Sequence, residues 1–133
     1  MNMRYNDLPI RSLGFCLAAL GGLLMAVNGV RAFVDPAAFA IYLGLPGDAA
    51  LVQVYGLRAL FIALLVAALL VTRQRRALAL LSACAVVMPV GDALLTSAAG
   101  APAGTVLRHA AIALYLLVTA LVLWRGGQTR ATA

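Results

Sequence analysis

Residues 50–72, ALVQVYGLRALFIALLVAALLVT, form an apolar stretch that contains one charged side chain, Arg58. A helix of about 20 apolar residues is long enough to cross the hydrocarbon core of a bilayer. Three other stretches have the same character, so the predicted spans are about 13–33, 50–72, 77–98 and 105–125. The sequence therefore predicts one integral membrane domain over residues 1–133, all-α and built as a four-transmembrane-helix bundle.

The composition supports this class. Hydrophobic residues make up 65% of the chain and charged residues 11%, whereas soluble domains usually have about a quarter charged residues. All ten basic side chains are Arg, and most of them lie just outside the spans. The excess positive charge therefore indicates membrane lipids as partners and not nucleic acid.

A short helix is predicted between the first and second spans, at about 36–43. Asp35 is a good N-cap and Pro36 suits the first helical position, while Gly44 and Pro46 can end the helix. A helix of this length cannot cross a bilayer. We expect it to lie at the membrane surface.

The basic residues also predict the orientation of the chain, because cytoplasmic flanks of spans are enriched in Lys and Arg. One side collects most of them, and the other side has Arg31 and Arg108, which can extend to the lipid head groups. We expect the inner (plasma) membrane, with both termini cytoplasmic. The last eight residues are predicted to be disordered.

Small residues predict close helix packing in the first span. Gly14, Ala18 and Gly22 recur every four residues, which lets another helix approach closely. The segments Gly29-Val30-Arg31-Ala32-Phe33 and Gly56-Leu57-Arg58-Ala59-Leu60 resemble each other, but they run in opposite directions through the membrane. We interpret that likeness as chance.

Three of the ionisable residues inside the predicted spans are candidates for a shared site: Arg58, Asp92 and His109. Counted from the non-cytoplasmic side, their depths are roughly 12 Å, 9 Å and 6 Å at the helical rise. Ionisable groups at membrane depth are costly and often mark functional sites. Shared depth on one side predicts a polar pocket toward the outer leaflet.

Pro89 should kink the third span close to this pocket. Proline has no amide hydrogen and clashes with the carbonyl four residues earlier, here that of Ala85. Gly91 follows directly before Asp92. The bend is expected to present the carboxylate to the interior of the bundle.

The preferred hypothesis is a pocket that binds or converts a lipophilic small molecule by acid–base chemistry. Asp92 and His109 are the proton-transfer candidates, and Arg58 is the anchor for an anion or a carbonyl. The expected ligand-binding residues are Asn28, Gln53, Tyr55 and Arg58. Whether the protein is an enzyme is left open; if it is one, a cofactor-free isomerase, cyclase or hydrolase is expected.

Two alternatives remain at this point. In the first, Arg58 and Asp92 pair only to fix the packing of a structural or accessory membrane subunit. In the second, the chain is an oligomeric small transporter, and a homo-oligomer is left open in any case. A chain without Glu lacks the intramembrane Glu on which small multidrug transporters depend.

Metal and thiol chemistry have little support. One His and no Glu make a carboxylate or histidine cage unexpected, so we predict neither metal nor cofactor. Cys16 and Cys84 are isolated in apolar segments, which predicts small buried side chains and no disulfide relay.

Three motifs carry a family resemblance. They are Asp35-Pro36 through Leu43-Gly44-Leu45-Pro46, Tyr55-Gly56-Leu57-Arg58 and Pro89-Val90-Gly91-Asp92. The chain resembles the small four-span membrane proteins of the domain-of-unknown-function family 4267, and loosely the DoxX-like group. The resemblance covers nearly the whole chain and implies a four-helix bundle, but it implies no established activity.

Overall fold

The structure is a computed structural model that describes residues 8–43 and 48–128. Within these ranges the chain forms helices and no strands, which confirms the all-α prediction. The helices are α1 (Leu8–Val34), α2 (Pro36–Leu43), α3 (Ala49–Val71), α4 (Arg75–Ala85), α5 (Val87–Ala98) and α6 (Ala103–Gln128).

Four segments of the described chain are long and apolar enough to cross a membrane: Ser12–Val34, Ala49–Val71, Arg75–Ala98 and Ala103–Gly126. They agree with the predicted spans to within a few residues. The protein is therefore a multi-pass membrane protein with four spans. The predicted disorder of the last eight residues is wrong for 126–128, which are helical, and otherwise falls outside the described residues.

Helix α2 begins where the sequence predicts. The Asp35 carboxylate accepts a hydrogen bond from the backbone amide of Ala38 at 3.0 Å, which satisfies one free amide of the first turn. Phe39, Ala40 and Leu43 are buried against α1 and α3. The predicted closing residues, Gly44 and Pro46, lie outside the described residues. We call this end of the bundle the α2 end and the opposite end, near Arg73, the Arg73 end.

The third span is divided at Val86 into α4 and α5. The break directly follows Ala85, whose carbonyl would meet the ring of Pro89 and would receive no amide proton from it. The helical hydrogen-bond pattern resumes with Val90, whose amide nitrogen donates to the Val86 carbonyl oxygen at 3.2 Å. The helix is therefore interrupted close to the position where Pro89 predicts a kink.

The order of the helices opens a gap on one side. Helix α1 packs against α3 and α6, and α6 packs against α4 and α5. Helix α3 meets α4 but shares no substantial interface with α5. The third span therefore separates from α3 as it approaches the α2 end.

The crossing of α1 and α3 depends on Gly29 and Gly56. A Cβ on Gly29 would lie 3.1 Å from the Gly56 carbonyl oxygen, and a Cβ on Gly56 would lie 3.1 Å from the Gly29 carbonyl oxygen. The two similar segments interpreted as chance thus pack against each other, each supplying the glycine that lets the backbones approach. The predicted stripe of Gly14, Ala18 and Gly22 is buried throughout.

The cysteines depart from the prediction. Cys16 and Cys84 are both free and both exposed on the surface of the bundle. In a membrane protein the lipid-facing positions of a helix are as apolar as the core positions, so apolar neighbours in sequence do not indicate burial.

Candidate functional site

Asp92 and His109 are brought together at the α2 end. His109 Nδ1, on α6, lies 3.8 Å from Asp92 Oδ2, on α5. The histidine is buried, with 6% of its surface exposed, whereas the Asp92 side chain is 51% exposed. Thr96 Oγ1, one turn further along α5, donates to the backbone carbonyl oxygen of Asp92 at 2.6 Å.

The second ring nitrogen of His109 has no hydrogen-bond partner. Nε2 is buried and unpaired among the described residues. Buried polar atoms are nearly always paired, because an unmade hydrogen bond leaves the full desolvation cost. We assign the proton to Nδ1 because the carboxylate lies on that side, which leaves Nε2 as an acceptor.

Tyr55 approaches this pair from α3. Its ring is half-buried and lies 5.8 Å from the Phe39 ring, centroid to centroid. Its hydroxyl is within electrostatic range of Asp92 and Arg108. Tyr55 and Asp92 therefore stand on opposite sides of the gap between α3 and α5.

Arg58 does not pair with Asp92. It is exposed, and no described acidic side chain lies within ion-pair distance of its guanidinium. The reason is the helix order, since α3 and α5 share no substantial interface. Arg58 follows Tyr55 by three residues, a spacing that places both on one side of α3.

The remaining predicted ligand residues are not part of this group. Asn28 is half-buried on α1, and Gln53 is exposed on α3. Within the described part of the chain neither makes a hydrogen bond, ion pair or ring contact with the Asp92–His109 pair.

A second group at the α2 end was missed by sequence reasoning. The Arg108 guanidinium carbon lies 4.2 Å from the centroid of the Tyr42 ring, and that of Arg31 lies 4.8 Å from the same centroid. Arg31 also lies 5.3 Å from the Phe39 ring. We call Arg31, Phe39, Tyr42 and Arg108 the arginine–tyrosine cluster. Its members come from three helices, so no spacing in the sequence reveals it.

An apolar groove lies elsewhere on the bundle. Its volume is about 310 Å³, and it is lined by residues of α1 and α3 such as Gly22, Ala26, Ala63 and Ala67. None of the polar residues described above contributes to it. The Asp92–His109 pair instead lies where α5 meets α6. Among the described residues no group of three or more His, Cys, Asp or Glu side chains is placed to hold a metal ion.

The family model of the domain of unknown function DUF4267 matches residues 22–123. The chain belongs to this family. The match includes the Asp92–His109 pair, Tyr55, Arg58 and the arginine–tyrosine cluster, so every polar group at the α2 end lies within the family region. Neither the curated proteins nor the solved structures contain a significant match to this DUF4267 protein.

Proposed function

We propose that this DUF4267 protein binds a lipophilic small molecule whose polar end reaches His109 through the gap between α3 and α5. The observation that carries the proposal is the buried, unpaired Nε2 of His109. A ligand that donates a hydrogen bond to Nε2 would remove the desolvation cost that the free protein bears.

The surroundings of the gap suit such a ligand. The two helices that border it carry exposed apolar side chains, including Phe61 at 66%, Leu94 at 67% and Leu95 at 71% exposure. Its polar groups are few: Tyr55, Arg58, Asp92 and His109. Sites for small molecules usually combine apolar walls with a few polar groups that fix orientation. We expect a gap between two spans to open sideways, so that a molecule dissolved in the bilayer could enter without leaving the membrane.

The same residues can move a proton. The Asp92 carboxylate lies on the Nδ1 side of the ring and favours a proton there, so Nε2 can accept a proton from a ligand hydroxyl or from a carbon next to a carbonyl. Arg58 can extend to a carbonyl or an anion on the ligand. A cofactor-free isomerisation, cyclisation or hydrolysis is the reaction class that needs only these groups, and it is the catalytic form of the proposal.

The orientation belongs to this proposal as well. Of the described basic residues near span ends, Arg73, Arg75, Arg76 and Arg125 lie at the Arg73 end, whereas Arg31 and Arg108 lie at the α2 end. Basic flanks favour the cytoplasmic side. We therefore place the Arg73 end and both termini in the cytoplasm and the ligand gap in the outer leaflet of an inner membrane.

The alternative role as a structural subunit held together by Arg58 and Asp92 loses its basis, because that pair does not form.

A binding experiment tests the proposed ligand site. The protein in lipid nanodiscs is heated in the presence of a long-chain primary alcohol, the methyl ketone of equal length and the parent alkane. The alcohol should raise the melting temperature most, because it alone donates a hydrogen bond to Nε2.

Two variants make this experiment decisive. His109→Leu should abolish the difference between alcohol and alkane, whereas Ser82→Ala, a buried site on α4 in the other half of the bundle, should leave it unchanged. Equal stabilisation by all three probes, or an alcohol effect that survives His109→Leu, would contradict the proposal.

A further inference from the structure

The two arginines of the arginine–tyrosine cluster contact the same tyrosine ring and have no acidic partner among the described residues. Both guanidinium groups lie against the Tyr42 ring. No described carboxylate is within ion-pair distance of either group. The nearest acid in sequence, Asp35, accepts from the Ala38 amide as a helix cap. Two positive charges therefore share one ring and repel each other.

Most hydrogen-bond donors of these two groups are unused. A guanidinium has five N–H donors in a fixed fork. Arg108 uses one of its nitrogens, donating from Nη2 to the Tyr42 carbonyl oxygen at 2.6 Å. Arg31 makes ring contacts and no hydrogen bond with the described residues. The ring faces position the guanidiniums and leave their N–H edges available.

We propose that Arg31 and Arg108 together bind the phosphate of an anionic phospholipid head group. A phosphate supplies several acceptor oxygens and the negative charge that the pair lacks, and arginine binds phosphate in a bidentate manner. This proposal does not depend on a ligand at His109.

The position of the cluster favours a lipid over a soluble phosphate. Arg31 is in the last turn of α1, and Arg108 follows the start of α6 by five residues, so both lie near the membrane surface. Exposed apolar side chains lie within three residues of cluster members in the sequence: Val34 at 79%, Ile41 at 81% and Leu107 at 70% exposure. Acyl chains attached to the bound phosphate can pack on these side chains, whereas a soluble phosphate gains nothing from them.

The test compares lipid retention by two charge-matched variants. Full-length protein in phosphatidylcholine nanodiscs containing a minor fraction of phosphatidylglycerol is analysed by native mass spectrometry for bound phosphatidylglycerol. Arg31→Gln with Arg108→Gln should weaken retention about tenfold for each arginine removed, the effect of losing one charge-assisted contact. Arg76→Gln with Arg125→Gln removes the same charge from exposed sites near the Arg73 end and should change retention much less.

Two further variants keep the result interpretable. Arg31→Lys with Arg108→Lys retains both charges but loses the fork, so it should show an intermediate loss even if the Gln pair destabilises α2. His109→Leu should retain phosphatidylglycerol fully, which separates this site from the proposed ligand gap. Equal losses in the two Gln pairs, or no loss in either, would overturn the proposal.

A soluble-phosphate arm identifies the source. Inorganic phosphate or glycerol phosphate is added to the protein in pure phosphatidylcholine nanodiscs. Neither should raise the melting temperature at concentrations equal to those at which phosphatidylglycerol does. If they stabilise the parent protein as strongly as the lipid and fail with the Gln pair, the site binds a free phosphate compound and the lipid proposal is wrong.

Discussion

Arginines at the two ends of the bundle differ in how many of their hydrogen-bond donors have partners. Near the Arg73 end, Arg75 Nε donates to the Leu123 carbonyl oxygen at 2.7 Å, and Nη2 donates to that of Val122 at 3.1 Å. Its guanidinium also lies 5.6 Å from the Phe15 ring centroid. At the α2 end, Arg31 and Arg108 contact the same tyrosine ring, and the only hydrogen bond of the two side chains to the described residues is from Arg108 to the Tyr42 carbonyl oxygen. The buried Nε2 of His109 makes no hydrogen bond with the described residues.

The difference separates polar groups that have hydrogen-bond partners within the fold from polar groups that have few or none among the described residues. Space for Arg75 is made by two glycines: a Cβ on Gly126 would lie 2.0 Å from Arg75 Nη2, and one on Gly14 would lie 3.3 Å from it. Glycines of α1 and α6 therefore leave the room that the Arg75 side chain of α4 occupies. At the α2 end the protein brings charges together without satisfying them, which is costly unless a ligand or lipid does so.

The largest effect is expected at Arg75. Replacing Arg75 with Met keeps most of the side-chain volume but removes the hydrogen bonds to α6, each of a kind worth about 1.5–3 kcal/mol. Unfolding in detergent should show a loss of at least that size. Arg76→Met, at an exposed neighbouring position, is the matched control and should change stability little. Equal effects at both positions would mean that the comparison between the two ends is wrong.

A smaller effect of opposite sign is expected at His109. Replacing the imidazole with Leu removes a buried polar atom that has no partner, so the ligand-free protein should gain about 1 kcal/mol. Tyr115→Phe is the contrast, because the Tyr115 hydroxyl donates to the Leu17 carbonyl and its removal should cost about 1 kcal/mol. Thermal unfolding of both variants provides the comparison. A clear loss at His109 would show that the histidine is a structural group.

The smallest effect is expected at Arg58. It is exposed and pairs with no described acid, so Arg58→Leu in detergent should stay within about 0.5 kcal/mol of the parent protein. Gln53→Leu, also exposed on α3, is the control for added apolar surface. A loss several times larger at Arg58 alone would reveal a contact made in solution, such as one with a second copy of the chain.

Much of the fold follows from local sequence. The four spans and α2 could be predicted because long apolar runs, the Asp35-Pro36 start and the Pro89 break act over a few residues. The approach of Gly29 and Gly56 could not, although both segments were recognised as similar. Helix order is set by which faces pack best, and apolar faces toward lipid and toward the core look alike in sequence.

The candidate site was predicted in part. Asp92 and His109 were selected by depth, and the structure places them 3.8 Å apart. The other candidates, Arg58, Asn28 and Gln53, make no direct contact with this pair among the described residues, because residues at one level can point in different directions around the bundle. Arg31 and Arg108 were interpreted as single residues reaching the head groups, since nothing in the sequence shows that Tyr42 lies beneath both.

The sequence by itself determined that this protein is a four-span membrane protein with ionisable groups near one end, because hydrophobicity and helix-breaking residues act locally. Only the tertiary structure decided which of those groups meet. Asp92 joined His109 because α5 packs on α6, and Arg58 was left apart because α3 packs on α1. Contacts between helices depend on side-chain shape along whole interfaces, and no short stretch of sequence contains that information.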